Sequence, residues 1–80
     1  MVADTTRITR RPHADGIEAC IRDTNVSVWG LVEWRRLGRS DAEILRSIPG
    51  LTTEDLVAAW DYYDTHRDEV EGFIRRNSEA

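Results

Sequence analysis

Lysine is missing: all eleven basic residues of this 80-residue chain are arginine. Biased codon use explains that as readily as selection for the forked hydrogen bonding of guanidinium to phosphate. Cysteine is nearly missing. The single Cys20 excludes an internal disulfide. It lies in an apolar strand pattern with no histidine or basic cluster beside it, so a buried, inert thiol is expected rather than a nucleophile. No apolar run is long enough to span a bilayer and no signal-peptide pattern opens the chain, so no membrane association and a cytoplasmic location are expected. No paired carboxylates, nucleophile–base constellation, glycine-rich phosphate loop or metal-ligand spacing stands out. The expectation is therefore not an enzyme, with no cofactor and no metal. His13 and Asp15 share a turn, but two potential ligands without others nearby read as solvated side chains. Asn25-Val26-Ser27 fits a glycosylation sequon that carries no meaning in a cytosolic chain.

What is present points to one small, mainly helical domain. At roughly 1.5 kcal/mol of ordering entropy per residue, a chain of this length sits near balance. Residues 1–6 are polar and read as a frayed end. Residues 7–26 read as a β element. Arg7-Ile8-Thr9-Arg10-Arg11 alternates as a short edge strand ending at Pro12, and Ile17-Glu18-Ala19-Cys20-Ile21-Arg22 can pair with it as a hairpin. A first helix is predicted from Ser27 as cap to about Leu37, with Gly38 as its stop and Val28, Leu31, Val32 and Leu37 facing the core. Ser40-Asp41-Ala42-Glu43 has capping-box spacing, and Ile44, Leu45 and Ile48 give a short second helix its buried face. Pro49-Gly50 ends it. In the third helix Leu56, Ala59, Trp60 and Tyr63 follow i, i+3, i+4, i+7 spacing, behind Thr52 or Thr53 as cap. Residues 27–65 thus form a tri-helical core. A C-terminal helix is expected over 67–77, with acids at its start, arginines at its end, and Val70, Phe73 and Ile74 on one side. Gly72 weakens it by about 1 kcal/mol against alanine, which makes it a helix ordered on docking.

Two helices joined by a short turn have the outline of a helix-turn-helix. The charge contradicts that outline. Residues 1–39 carry seven arginines against five acids, a net of +2, whereas residues 40–80 carry four against ten, a net of −6. The helix in the reading position holds Glu54, Asp55, Asp61 and Asp64, with no arginine before Arg67. His66 at its end reads as a dipole partner. Nucleic-acid contact, if any, falls to an arm of Arg7, Arg10 and Arg11, joined by Arg22 from the paired strand. The bland reading of that arm is a solvated edge strand protected by charge. Trp29 and Trp34 widen the apolar surface of the first helix beyond one stripe and suggest a dimer interface.

Cys20-Ile21-Arg22-Asp23-Thr24-Asn25-Val26-Ser27-Val28 resembles the Ile-Arg-Gly-Thr-Arg-Ile-Pro-Val signature of the domain-of-unknown-function family number 433. Pro49-Gly50-Leu51-Thr52, Asp55-Leu56, Ala59-Trp60 and Tyr62-Tyr63 are similar to its second signature at matching gaps. The likeness runs from about Gly16 to Glu69. It implies a three-helix, homeodomain-like or winged-helix-like core behind a small β element. It also implies a VapB-type antitoxin role beside a PIN-like ribonuclease toxin. Asp23 stands where the family has glycine and Asn25 where it has arginine, two residue types that tolerate left-handed turn geometry. The resulting expectation is an antitoxin-like homodimer that neutralises a PIN-like ribonuclease and autoregulates its operon on operator DNA. The alternative is a stand-alone DNA-binding regulator using the arginine arm. From chemistry alone, Phe73, Ile74, Arg75 and Arg76 are the candidates for partner binding, the arginines as bidentate forks for the nuclease's carboxylates.

Overall fold

The computed structural model describes residues 7–14 and 16–78. The end expected to fray, residues 1–6, and Asp15 of the predicted turn lie outside them. Two strands, β1 (Ile8–His13) and β2 (Gly16–Ile21), form an antiparallel hairpin in register from Ile8↔Ile21 to His13↔Gly16. Four helices follow: α1 (Val28–Arg36), α2 (Asp41–Ser47), α3 (Thr53–Thr65) and α4 (Arg67–Ser78). Pro12 sits inside β1 opposite Ile17 rather than ending it. In a two-stranded sheet each strand is an edge, where a residue without an N–H is tolerated. Gly16 closes the hairpin at φ 125°, a conformation open only to glycine.

The helix ends follow local chemistry. Ser27 caps α1 by accepting from the Gly30 N–H. Ser40 and Glu43 form a reciprocal capping box on α2, and Thr52 and Asp55 form another on α3. Gly38, at φ 93°, turns the chain out of α1, and Gly50, at φ 87°, turns it into α3.

Ile21, Val28, Leu31, Ile44 and Leu56 are almost wholly buried at the centre, and Val70, Phe73 and Ile74 of α4 are buried with them. The last helix is therefore a full part of the core, packed on α1, α3 and β2. The expected tri-helical core with an appended helix becomes four helices around one apolar centre. The buried face of α3 is Asp55, Leu56, Ala58, Ala59 and Tyr62, with Trp60 and Tyr63 only half-buried. It is turned from the predicted stripe because α4 and the hairpin cover the side bearing Tyr62. Leu37, expected in the core, is 78% exposed.

Candidate functional site

The most constrained side chain in the molecule is Asp55. It lies in the first turn of α3 with no exposed surface. Four donors meet its two oxygens. Oδ1 accepts from Arg7 Nη1 at 2.9 Å and from Arg22 Nε at 3.2 Å. Oδ2 accepts from Arg22 Nη2 at 2.9 Å and from the Thr52 backbone N–H at 3.1 Å. Arg22 also donates to the Gly50 carbonyl at 3.0 Å, so one guanidinium spans the hairpin, the α2–α3 turn and α3. Arg22, followed by the Asp55 capping contacts and Arg7, holds the Asp55 carboxyl well below the usual carboxylate range, against the opposing effect of burial.

Backbone geometry brings Arg22 there. It follows β2 directly, its N–H donates to the Arg7 carbonyl at 2.8 Å, and it takes a left-handed φ of 49°. Thr24 then stabilises the turn: its hydroxyl donates to the Ile21 carbonyl at 2.6 Å and accepts from the Val26 N–H at 3.1 Å. Among the described non-glycine residues, the positive φ belongs to Arg22 and not to Asp23 or Asn25. The turn thus asks no left-handed geometry of Asp23 or Asn25.

The other arginines of the expected arm are placed differently. Arg10 reaches across to Glu69 of α4 at 2.8 Å, and Arg11 is half-buried on β1. Glu69 also accepts from the Tyr62 hydroxyl, whose pKa is pushed up to about 12 by burial and by that carboxylate. Hairpin, α3 and α4 are therefore tied together by carboxylate–arginine contacts on both sides. Cys20 is 1% exposed, and burial pushes its thiol up.

At the C-terminal helix the structure separates what the sequence reading grouped. Phe73 and Ile74, at 2% and 8% exposed, face the chain's own core and are not presented to a partner. Their spacing with Val70 puts all three on the face that docks on α1 and β2. Arg75 and Arg76 remain exposed, with the Arg76 guanidinium over the edge of Phe73 at 5.9 Å. Trp29 and Trp34 are both half-buried. Trp29 stacks on Phe73 with centroids 5.5 Å apart and donates its indole N–H to Glu18 at 2.9 Å. Both tryptophans are thus partly covered by the chain's own core.

The outward face of α3 carries Glu54, Val57, Asp61 and Asp64, all exposed, with Val57 at 57%. Among the described residues no group of three or more His, Cys, Asp or Glu side chains converges on a metal position. Among the same residues no helix is long and apolar enough to cross a membrane.

The model of the family described as "Protein of unknown function (DUF433)" matches residues 8–63. The chain belongs to DUF433. A crystal structure of a DUF433 member from Anabaena variabilis is similar at 41% identity and a TM-score of 0.80, over 88% of this chain and 69% of that one. No curated protein matches the chain. Both ends of the Arg22–Asp55 contact fall inside the DUF433 match, while Arg7 and α4 fall outside it.

The pairing of Arg22 with Asp55 was missed in the sequence because the two are 33 residues apart. A signal was nevertheless present: Asp55, Ala59 and Tyr62 follow i, i+4, i+7 spacing, which puts a carboxylate on an apolar stripe. Such a carboxylate needs charged or polar donors from elsewhere in the chain.

Proposed function

We propose that this chain is an antitoxin-like binding module that neutralises a PIN-like ribonuclease in the cytoplasm and performs no catalysis of its own. The α2–turn–α3 unit serves as a helix-turn-helix frame whose outer helix meets protein rather than DNA. The observation that carries this reading is the outward face of α3, where Glu54, Asp61 and Asp64 surround exposed Val57. Phosphates would be repelled there, while the basic RNA groove of a nuclease would be attracted. Arg75 and Arg76 lie on a different element and supply a second contact, as forks for carboxylates.

Operator binding is the second reading. It rests on Arg10, which stays 52% exposed although it pairs with Glu69, and on neighbouring Arg11. Arg7 and Arg22 already serve Asp55, so the arm has fewer guanidiniums to give than the sequence suggests. So few phosphate contacts bind DNA weakly, and a homodimer would be required.

The test is RNA cleavage by the PIN-like nuclease of the neighbouring gene, mixed with the wild-type chain, with Glu54→Lys/Asp61→Lys, or with Arg75→Ala/Arg76→Ala. Charge reversal on α3 is expected to abolish inhibition, and the arginine pair to weaken it. Full inhibition by the Glu54→Lys/Asp61→Lys protein would overturn the assignment.

A further inference from the structure

A groove of about 320 Å³ opens between the end of α1 and the α3–α4 junction, lined by Val32, Arg35, Arg36, Tyr63, Asp64 and Arg67. It shares Asp64 with the outward face of α3 but none of the residues changed in the test above, so Glu54→Lys/Asp61→Lys and Arg75→Ala/Arg76→Ala leave its lining intact. Three arginines line it, two of them stacked on aromatic rings. Arg35 lies over the Trp60 ring at 4.7 Å and Arg67 over the Tyr63 ring at 4.9 Å. Arg36 donates to the Tyr63 hydroxyl at 3.1 Å and to Glu71.

We propose that this groove is an anion site for a phosphate-bearing ligand, with Arg35 and Arg67 as its principal donors. The balance of charge favours it. Among the described residues Arg35 has no carboxylate partner. Arg67 makes one direct ion pair, with Asp64 at 3.3 Å between two side chains that are each more than 60% exposed, a contact that an incoming anion readily replaces, and it feels Glu71 only through space. Glu71 is occupied by the Tyr63 hydroxyl and by Arg36, which in that order hold its carboxyl below its ordinary value. The net charge of the lining is thus positive in a chain whose total is −4.

The geometry separates phosphate from carboxylate. One guanidinium fork saturates a planar carboxylate, whereas guanidiniums from two elements, Arg35 of α1 and Arg67 of α4, suit the tetrahedral oxygens of a phosphate. Stacking on Trp60 and Tyr63 fixes two of the forks before binding, which reduces the ordering cost. The volume lies within the range of small-ligand clefts, at roughly 300–1,000 Å³, and leaves room for more than one phosphate group. Nearly dry Val32 forms its floor. The phosphate can belong to a free nucleotide or to the backbone of a single-stranded nucleic acid.

The full chain would be titrated by calorimetry, and by tryptophan fluorescence because Arg35 covers Trp60. The probes would be pyrophosphate, adenosine triphosphate and an oligothymidylate of about ten nucleotides. Saturable binding is expected, with affinity falling about tenfold or more in Arg35→Gln and in Arg67→Gln, as losing one charge-assisted hydrogen bond implies. Arg67→Lys, which keeps the charge and loses the fork, should fall between. Arg46→Gln, on α2 and outside the groove, should bind as the wild type does, and unfolding midpoints would confirm that every variant is folded. Binding of the triphosphate without the oligonucleotide identifies a free nucleotide; binding of the oligonucleotide with the same dependence on both arginines identifies a nucleic-acid backbone. Absence of saturable binding by all three probes, or an equal loss in Arg46→Gln, would overturn the site.

Discussion

A carboxylate without exposed surface stays ionised only when its oxygens are met, and Asp55 is met by four donors from three separate parts of the chain. The contact therefore acts less as a surface ion pair than as a clamp between the hairpin and α3. Replacing Asp55 by asparagine leaves Arg7 and Arg22 facing an uncharged group. The expected loss is about 3 kcal/mol, at the low end for breaking a buried pair because both arginines reach some solvent. Arg7→Ala should cost about 1 kcal/mol, since Arg22 and Thr52 remain. The pH dependence has a definite sign. The folded carboxyl titrates below the ordinary aspartate value of about 3.9, so below that pH the unfolded chain takes up a proton that the folded chain does not. Stability is fully present at neutral pH and falls progressively in acid, and Asp55→Asn should flatten that slope. Urea unfolding of both proteins between about pH 7 and pH 3 reads both effects. A variant with wild-type stability and an unchanged acid slope would show that the clamp holds nothing together.

Helices and strands were largely legible because their signals are local. Ser27, Ser40 and Thr52 cap the helices that their spacing marks, and Gly38 and Gly50 sit where each turn needs a positive φ. Apolar periodicity was enough to find α4, but not to tell whether Val70, Phe73 and Ile74 faced inward or toward a partner. A helix's apolar stripe reports that it is covered and not by what. The same ambiguity placed Trp60 and Tyr63 deeper than they lie. Gly72 gives this scale its prediction. It is buried in α4 with ordinary helical φ, and an added Cβ would meet the tip of the Arg76 guanidinium at 3.3 Å. That group is the exposed end of a flexible side chain and can move by the few tenths of an ångström required. Gly72→Ala should then stabilise the protein by up to about 1 kcal/mol through helix propensity. For a domain of this size that raises the melting temperature by roughly 4–8 °C. A lowered midpoint would show that Arg76 is held rigidly over Phe73 and cannot yield.

Across the whole molecule, the two halves that differ in charge are joined by contacts between them. Arg7 and Arg22 of the basic half meet Asp55, Arg10 meets Glu69, and Arg36 meets Glu71. Part of the apparent polarity is thus neutralised inside the fold. What remains exposed on α3 is acidic. This makes protein and DNA readings respond oppositely to one change. Glu54→Lys/Asp61→Lys replaces two negative charges by two positive ones, which should weaken a complex with a basic nuclease groove and strengthen any contact with a duplex. Salt alone does not separate the two, since both complexes weaken as it rises. The combination does. For the wild-type chain with the nuclease, raising salt from about 0.05 M to about 0.5 M should slow association by about tenfold while dissociation changes little. In the double-lysine protein that association should already be slow at low salt and respond weakly to more. Surface plasmon resonance on immobilised nuclease, with operator duplex in a parallel channel, would read both. A double-lysine protein that associates with the nuclease as fast as the wild type, with the same salt dependence, would remove α3 from the interface and leave the arginines of α4 as the contact to examine.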